Sequence, residues 1–128
     1  MSENKETILT ENPYRFVLFP IQYHKTWELY KKAQASTWFA EEIDFTDDQT
    51  QYKKLSQNEK HFIRHILAFF ASADGIVNEN LMKNLMEEVQ IPEIRAFYTH
   101  QLFIETIHNE SYSLMIDAIV EPEEKNKM

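Results

Sequence analysis

Asp74, Glu105 and His108 are the residues of this 128-residue sequence whose types and spacing suit metal chemistry. Glu105 and His108 lie three positions apart within FIETIHNESY, residues 103 to 112, a spacing that lets both side chains reach one ion from a single helical face. Asp74 stands in the largely apolar run AFFASADGIV. A carboxylate taken into such surroundings must be neutralised, paired or bound to a cation. Two carboxylates and an imidazole suit a borderline cation such as iron, manganese or zinc, and the absence of cysteine removes the soft-ligand alternatives. Tyr112 continues the same face four residues after His108, although a tyrosine there is by itself an ordinary core residue. Trp38 by itself reads as packing.

Three helices are needed to position these groups. From Ile21 to about Phe39 the periodicity is helical, with Trp27, Tyr30, Gln34 and Trp38 on one face. Residues 41 to 55 read as an acidic loop with a turn near Thr46 to Asp48. A capping box of Ser56 and Glu59 opens a second helix that should run to about Val89, with Ile63, Leu67, Phe70, Asp74, Val77, Leu81 and Leu85 as its inner stripe. Pro92 suits the first turn of a third helix ending near Val120. Its inner stripe includes Tyr98, Glu105, His108, Tyr112 and Met115, and its polar face carries Thr99, Thr106, Glu110, Ser113 and Asp117.

The short link near Gln90 makes the second and third helices antiparallel neighbours. At 1.5 Å per residue, Asp74 lies roughly 25 Å back from the turn, and Glu105 and His108 roughly 22 and 26 Å forward of it. The three groups therefore fall at one level on facing stripes. Gly75 permits either a close backbone approach beside the site or nothing more than a neutral surface position.

Composition restricts the function classes. With 43% hydrophobic and 13% aromatic residues the chain is one globular domain, and one glycine with four prolines favours long helices over many short strands. The single glycine excludes a Walker loop and a dinucleotide-binding glycine motif. A formal charge of −8 argues against nucleic acid or an anionic membrane as the main partner. No disulfide or thiolate site is possible without cysteine, and neither a signal peptide nor an apolar run of spanning length is visible, which together predict a cytoplasmic protein. Residues 1 to 12 read as a flexible polar tail and 13 to 128 as the folded part.

The blocks ASTWFAEEIDF, KHFIRHILAFFASADGIVNENL and FIETIHNESYSLMID, in this order from about Arg15 to Asp117, resemble the small, radical-generating subunit of class I ribonucleotide reductase, most closely its eukaryotic type. The resemblance implies an all-α, ferritin-like helical bundle holding a di-iron centre, with manganese as the alternative metal. Asp74 resembles the family's aspartate ligand, Glu105 its bridging carboxylate and His108 its histidine. Tyr112 matches the tyrosine that becomes a stable radical, and Trp38 the tryptophan on the electron route to the site and onward to the large subunit. The implied partners are that large subunit, where a ribonucleoside diphosphate is reduced, and a second small subunit.

Asp74 in place of the more usual glutamate, and a tyrosine four residues after the histidine, separate this pattern from a ferritin-like di-iron oxidase or ferroxidase. A purely structural helical partner protein would leave the three polar groups unexplained. The family uses six protein ligands and this sequence supplies three, so the chain is expected to be the N-terminal half of such a subunit, inactive alone. A split half completed by another chain, and a homodimer that repeats its half-site, are the other two expectations. Unpaired apolar stripes should make it self-associate or depend on a partner.

Overall fold

A computed structural model describes residues 7–126. Every regular element among them is helical: α1 (His24–Ala35), α2 (Asp48–Lys53), α3 (Gln57–Asn80), α4 (Met86–Glu88), α5 (Pro92–Ile119) and α6 (Pro122–Lys125), with single 3₁₀ turns at Thr7–Leu9 and Ala40–Glu42. The expected all-α class is what the chain adopts. It separates into two compact units, Met1–Thr37 with Asn78–Ile104, and Trp38–Val77 with Glu105–Met128.

In the second unit α3 starts where its capping signal stands. The Glu59 N–H donates to Ser56 Oγ at 3.2 Å, and the Ser56 N–H donates to Glu59 Oε2 at 2.7 Å. These reciprocal bonds satisfy donors that the first turn leaves without helical acceptors. They also hold the Glu59 carboxyl below its ordinary pKa. Tyr52, Leu67, Ile107 and Val120 are buried and form the apolar centre of this unit. The Tyr52 hydroxyl donates to Glu124 Oε2 at 3.2 Å, and Arg64 Nη1 lies 2.7 Å from Glu124 Oε1, so one carboxylate ties α6 to both α2 and α3.

In the first unit Leu81, Val89 and Ile91 are buried. The link between α4 and α5 is held through Gln90, whose N–H donates to the Ile8 carbonyl at 2.9 Å and whose carbonyl accepts from Asn12 Nδ2 at 3.1 Å. Arg95 Nη1 donates to the carbonyls of Met86 and Val89, both at 3.0 Å, supplying partners at a helix end. Part of the stretch expected to be a flexible tail, residues 7–12, is thus hydrogen-bonded to this link, and residues 1–6 of it lie outside the described residues.

Several expectations about the elements need correction. α1 ends at Ala35, so Trp38 lies beyond the helix rather than on its face. The Ser36 N–H already satisfies the last carbonyls there, and the chain turns extended at Phe39. The acidic loop contains a helix, α2, whose Tyr52 supplies the apolar contact that a polar loop would lack. The long second helix passes through a π turn at Leu81–Leu85 before α4. One extra residue is accommodated there, and the stripe beyond it is displaced from simple helical spacing. Beyond α5 the chain forms the short helix α6, with Pro122 in its first turn. Thr99, Thr106, Glu110, Ser113 and Asp117 are all exposed, as their spacing predicts.

Candidate metal centre

α3 and α5 bring Asp74, Glu105 and His108 together. Each offers one ligand atom, and these atoms lie within 4.8 Å of one another. All three belong to the same compact unit, as do Trp38 and Tyr112. Glu105 and His108 are set three apart by α5, and His108 Nδ1 is 3.3 Å from Glu105 Oε2. Asp74 is presented by α3, one turn after Ala71. Asn109 Nδ2 donates to the Ala71 carbonyl at 2.7 Å. That bond links the two helices one turn from the carboxylate.

The electrostatics of the cluster fit a cation. Asp74 Oδ2 is out of contact with solvent and has no hydrogen-bond partner. Burial raises the Asp74 pKa above its ordinary value, the neighbouring negative charge of Glu105 adds to the rise, and His108 opposes it. A lone inward-facing oxygen beside a second carboxylate is costly for the protein alone and suits a bound cation, which supplies both the missing partner and the compensating charge. The donor set, two carboxylates and one imidazole without sulfur, suits iron, manganese or zinc. Asp74, Glu105 and His108 therefore fit one side of the metal centre expected from the sequence.

The aromatic neighbours are ordered about the triad. Trp38 stacks on the His108 imidazole, with ring centres 5.5 Å apart and planes inclined by 29°. Its segment is held by the Phe39 N–H, which donates to Glu42 Oε2 at 2.9 Å, and by the buried Ala40. Tyr112 lies one helical turn beyond His108 and stacks on Phe70, with ring centres 5.5 Å apart and planes within 13° of parallel. Phe70 had been legible only as an inner-stripe residue, and Asn109 was not singled out by the sequence at all. Its one signal is a polar amide immediately after a candidate ligand. Gly75 is helical, and a Cβ built on it meets nothing within 4 Å, which removes the close-approach reading.

Residues 15–128 match the family described as ribonucleotide reductase, small chain. The chain belongs to the ribonucleotide reductase small-chain family. It is 52% identical over 127 residues to the ribonucleoside-diphosphate reductase small chain of Trypanosoma brucei brucei, covering 98% of this chain and 38% of that one. Against the small chain of Neurospora crassa identity is 57% over 125 residues, covering 96% and 30%. Among solved structures, the ribonucleotide reductase Rnr4 homodimer from Saccharomyces cerevisiae is similar with a TM-score of 0.82 and 43% identity, over 91% of this chain and 37% of that one. The R2 subunit from Clostridium botulinum is similar with a TM-score of 0.76 and 27% identity, over 83% and 33%.

The small-chain family fixes the architecture as the ferritin-like helical fold. The match is to the family that the sequence blocks resemble. The chain spans about a third of the length of the curated relatives it matches. Among the described residues, no helix is long and apolar enough to cross a membrane.

Proposed function

We propose that this chain carries the first half of the radical-generating site of a ribonucleoside-diphosphate reductase small subunit, residues 13 to 128 being the corresponding part of its ferritin-like domain. Asp74, Glu105 and His108 would hold metal, iron or alternatively manganese, on one side of a dinuclear centre. The observation that carries this reading is the clustering of Asp74, Glu105 and His108, whose ligand atoms lie within 4.8 Å of one another, together with a buried Asp74 oxygen that has no partner. A di-iron centre held by these residues would supply a one-electron oxidant.

The chain's own residues have distinct parts. Tyr112 would give up one electron to that oxidant, release its phenolic proton to water and become the stored radical. Phe70 covers one face of the Tyr112 ring. Trp38, stacked on a ligand imidazole, is suited to pass an electron toward the site because the two π systems are in contact. Asn109 holds α5 on α3 so that Asp74 stays opposite Glu105. The oxidising equivalent is then used on the large subunit, where the ribonucleoside diphosphate is bound; this chain has no glycine-rich phosphate loop of its own. The site of action is the cytoplasm.

The sequence holds one Glu-x-x-His, at Glu105 and His108, so the remaining ligands come from another segment or a second copy. Phe62, Phe69 and Ile76, seven residues apart along α3, are 65%, 67% and 69% exposed, an apolar ridge suited to be covered in assembly. The solved yeast relative named above is a homodimer. A small-subunit dimer is accordingly part of the proposal.

Electron paramagnetic resonance tests it, after ferrous iron and oxygen are added to the chain together with a polypeptide that supplies the second Glu-x-x-His. The expected result is a tyrosyl signal that Tyr112→Phe abolishes. A signal of unchanged shape and size in that variant would place the radical elsewhere.

A further inference from the structure

His61 and His65 lie one turn apart on α3, with His65 nine residues and roughly 14 Å before the Asp74 level along the helix. Both side chains are exposed, and their ring centres are 4.0 Å apart with planes inclined by 38°. His65 Nδ1 is 2.8 Å from the His61 carbonyl oxygen. A carbonyl only accepts, so Nδ1 carries the proton and donates it. In the neutral imidazole this assigns the His65 tautomer and leaves the Nε2 lone pair free for a metal.

From this juxtaposition we infer that His61 and His65 form a second, surface metal site that chelates a borderline divalent ion of the copper, nickel or zinc class. Histidines at positions i and i+4 project from one helical face, the spacing at which two imidazoles on a helix reach one ion. The Nδ1–H to carbonyl bond of His65 is the arrangement that orients metal-bound imidazoles, holding the ring and raising its basicity. Donor chemistry separates the two sites. The pair offers imidazole nitrogen with water completing the coordination, and copper lies at the top of the affinity order for such ligands. The triad offers mainly carboxylate oxygen.

Cu²⁺ titrated into the purified chain, followed by calorimetry and electron paramagnetic resonance, tests the pair. The unsubstituted chain should bind a copper ion whose spectrum shows two coordinated imidazole nitrogens. His61→Gln and His65→Gln should each weaken that ion roughly a hundredfold, because one rigid helix presents both donors at high effective concentration. His108→Ala, which disables the triad, should leave the two-nitrogen signal in place. The inference is overturned if the two glutamine variants bind copper as the unsubstituted chain does, or if the two-nitrogen signal disappears with His108.

Discussion

Glu93, which is buried, and Asp74, which is half-buried with one oxygen out of solvent, are acids on long helices, one in each compact unit, and they are treated in opposite ways. Glu93 is only 2% exposed, stands in the first turn of α5 and accepts the Gln22 N–H at 3.0 Å through Oε1. The helix N-terminus favours its negative charge and a backbone donor satisfies it, so it serves the fold. Asp74 stands in mid-helix, with a buried oxygen that has no partner and a second carboxylate beside it. Burial alone therefore does not mark a functional acid. The missing partner does.

Breaking the contrast at Asp74 should give the largest effect. Asp74→Asn removes the charge and is expected to weaken ferrous-iron binding by about a hundredfold or more, measured by iron uptake in equilibrium dialysis. The same change should make the metal-free chain more stable at neutral pH. Because the folded-state pKa of Asp74 is raised, the folded chain holds its proton where the unfolded chain has lost it. Stability from this group is highest below the ordinary carboxylate range and declines as pH rises through the folded pKa. Thermal melts should place the Asn variant above the unsubstituted chain at pH 7, with the difference vanishing below the unfolded pKa. A variant less stable at neutral pH would mean that Asp74 has a structural partner after all.

At Glu93 the same chemistry should have the reverse consequence. Glu93→Ala strands the Gln22 N–H and should cost about 1–3 kcal/mol in urea denaturation, while leaving iron binding unchanged. Glu93→Gln keeps an oxygen acceptor and should cost less. If Glu93→Ala lowered iron uptake instead, the separation between a structural and a ligating acid would fail.

Asn109 tests how far the site depends on helix register. Asn109→Ala removes the bond to the Ala71 carbonyl and is expected to weaken iron binding about tenfold, at the lower end for groups that orient metal ligands. Asn109→Asp also loses the donor and should behave like the alanine variant. Unchanged binding in both would show that apolar packing alone fixes Asp74 against Glu105.

The convergence of Asp74, Glu105 and His108 was legible in the sequence because two helices joined by a three-residue link act as rulers, and position along a helix converts to distance at a fixed rise. The capping box was legible for a related reason, since Ser56 and Glu59 act within one turn. Trp38 was found but set on the wrong element. The helical period persists past Ala35, whereas the chain leaves the helix to bring the indole onto His108. Asn109 and the π turn were not legible. Both depend on what a neighbouring stretch of chain requires, the first on a carbonyl 38 positions away and the second on a one-residue misfit, and neither leaves a periodic trace.

Gly75, beside Asp74, should give the smallest effect and sharpens the comparison from the backbone side. Its neighbour to Asp74 invites the idea that a missing side chain makes room for the metal. Yet the residue is exposed, its backbone is ordinary helix, and an added Cβ meets open space. Glycine in a helix interior costs roughly 0.5–1 kcal/mol relative to alanine through the freedom it has when unfolded. Gly75→Ala should therefore raise stability by about that amount in urea denaturation, with iron uptake unaltered. Loss of iron in this variant would mean that Asp74 needs a helix able to flex as the metal enters. Loss of stability would mean that assembly brings another chain against this face.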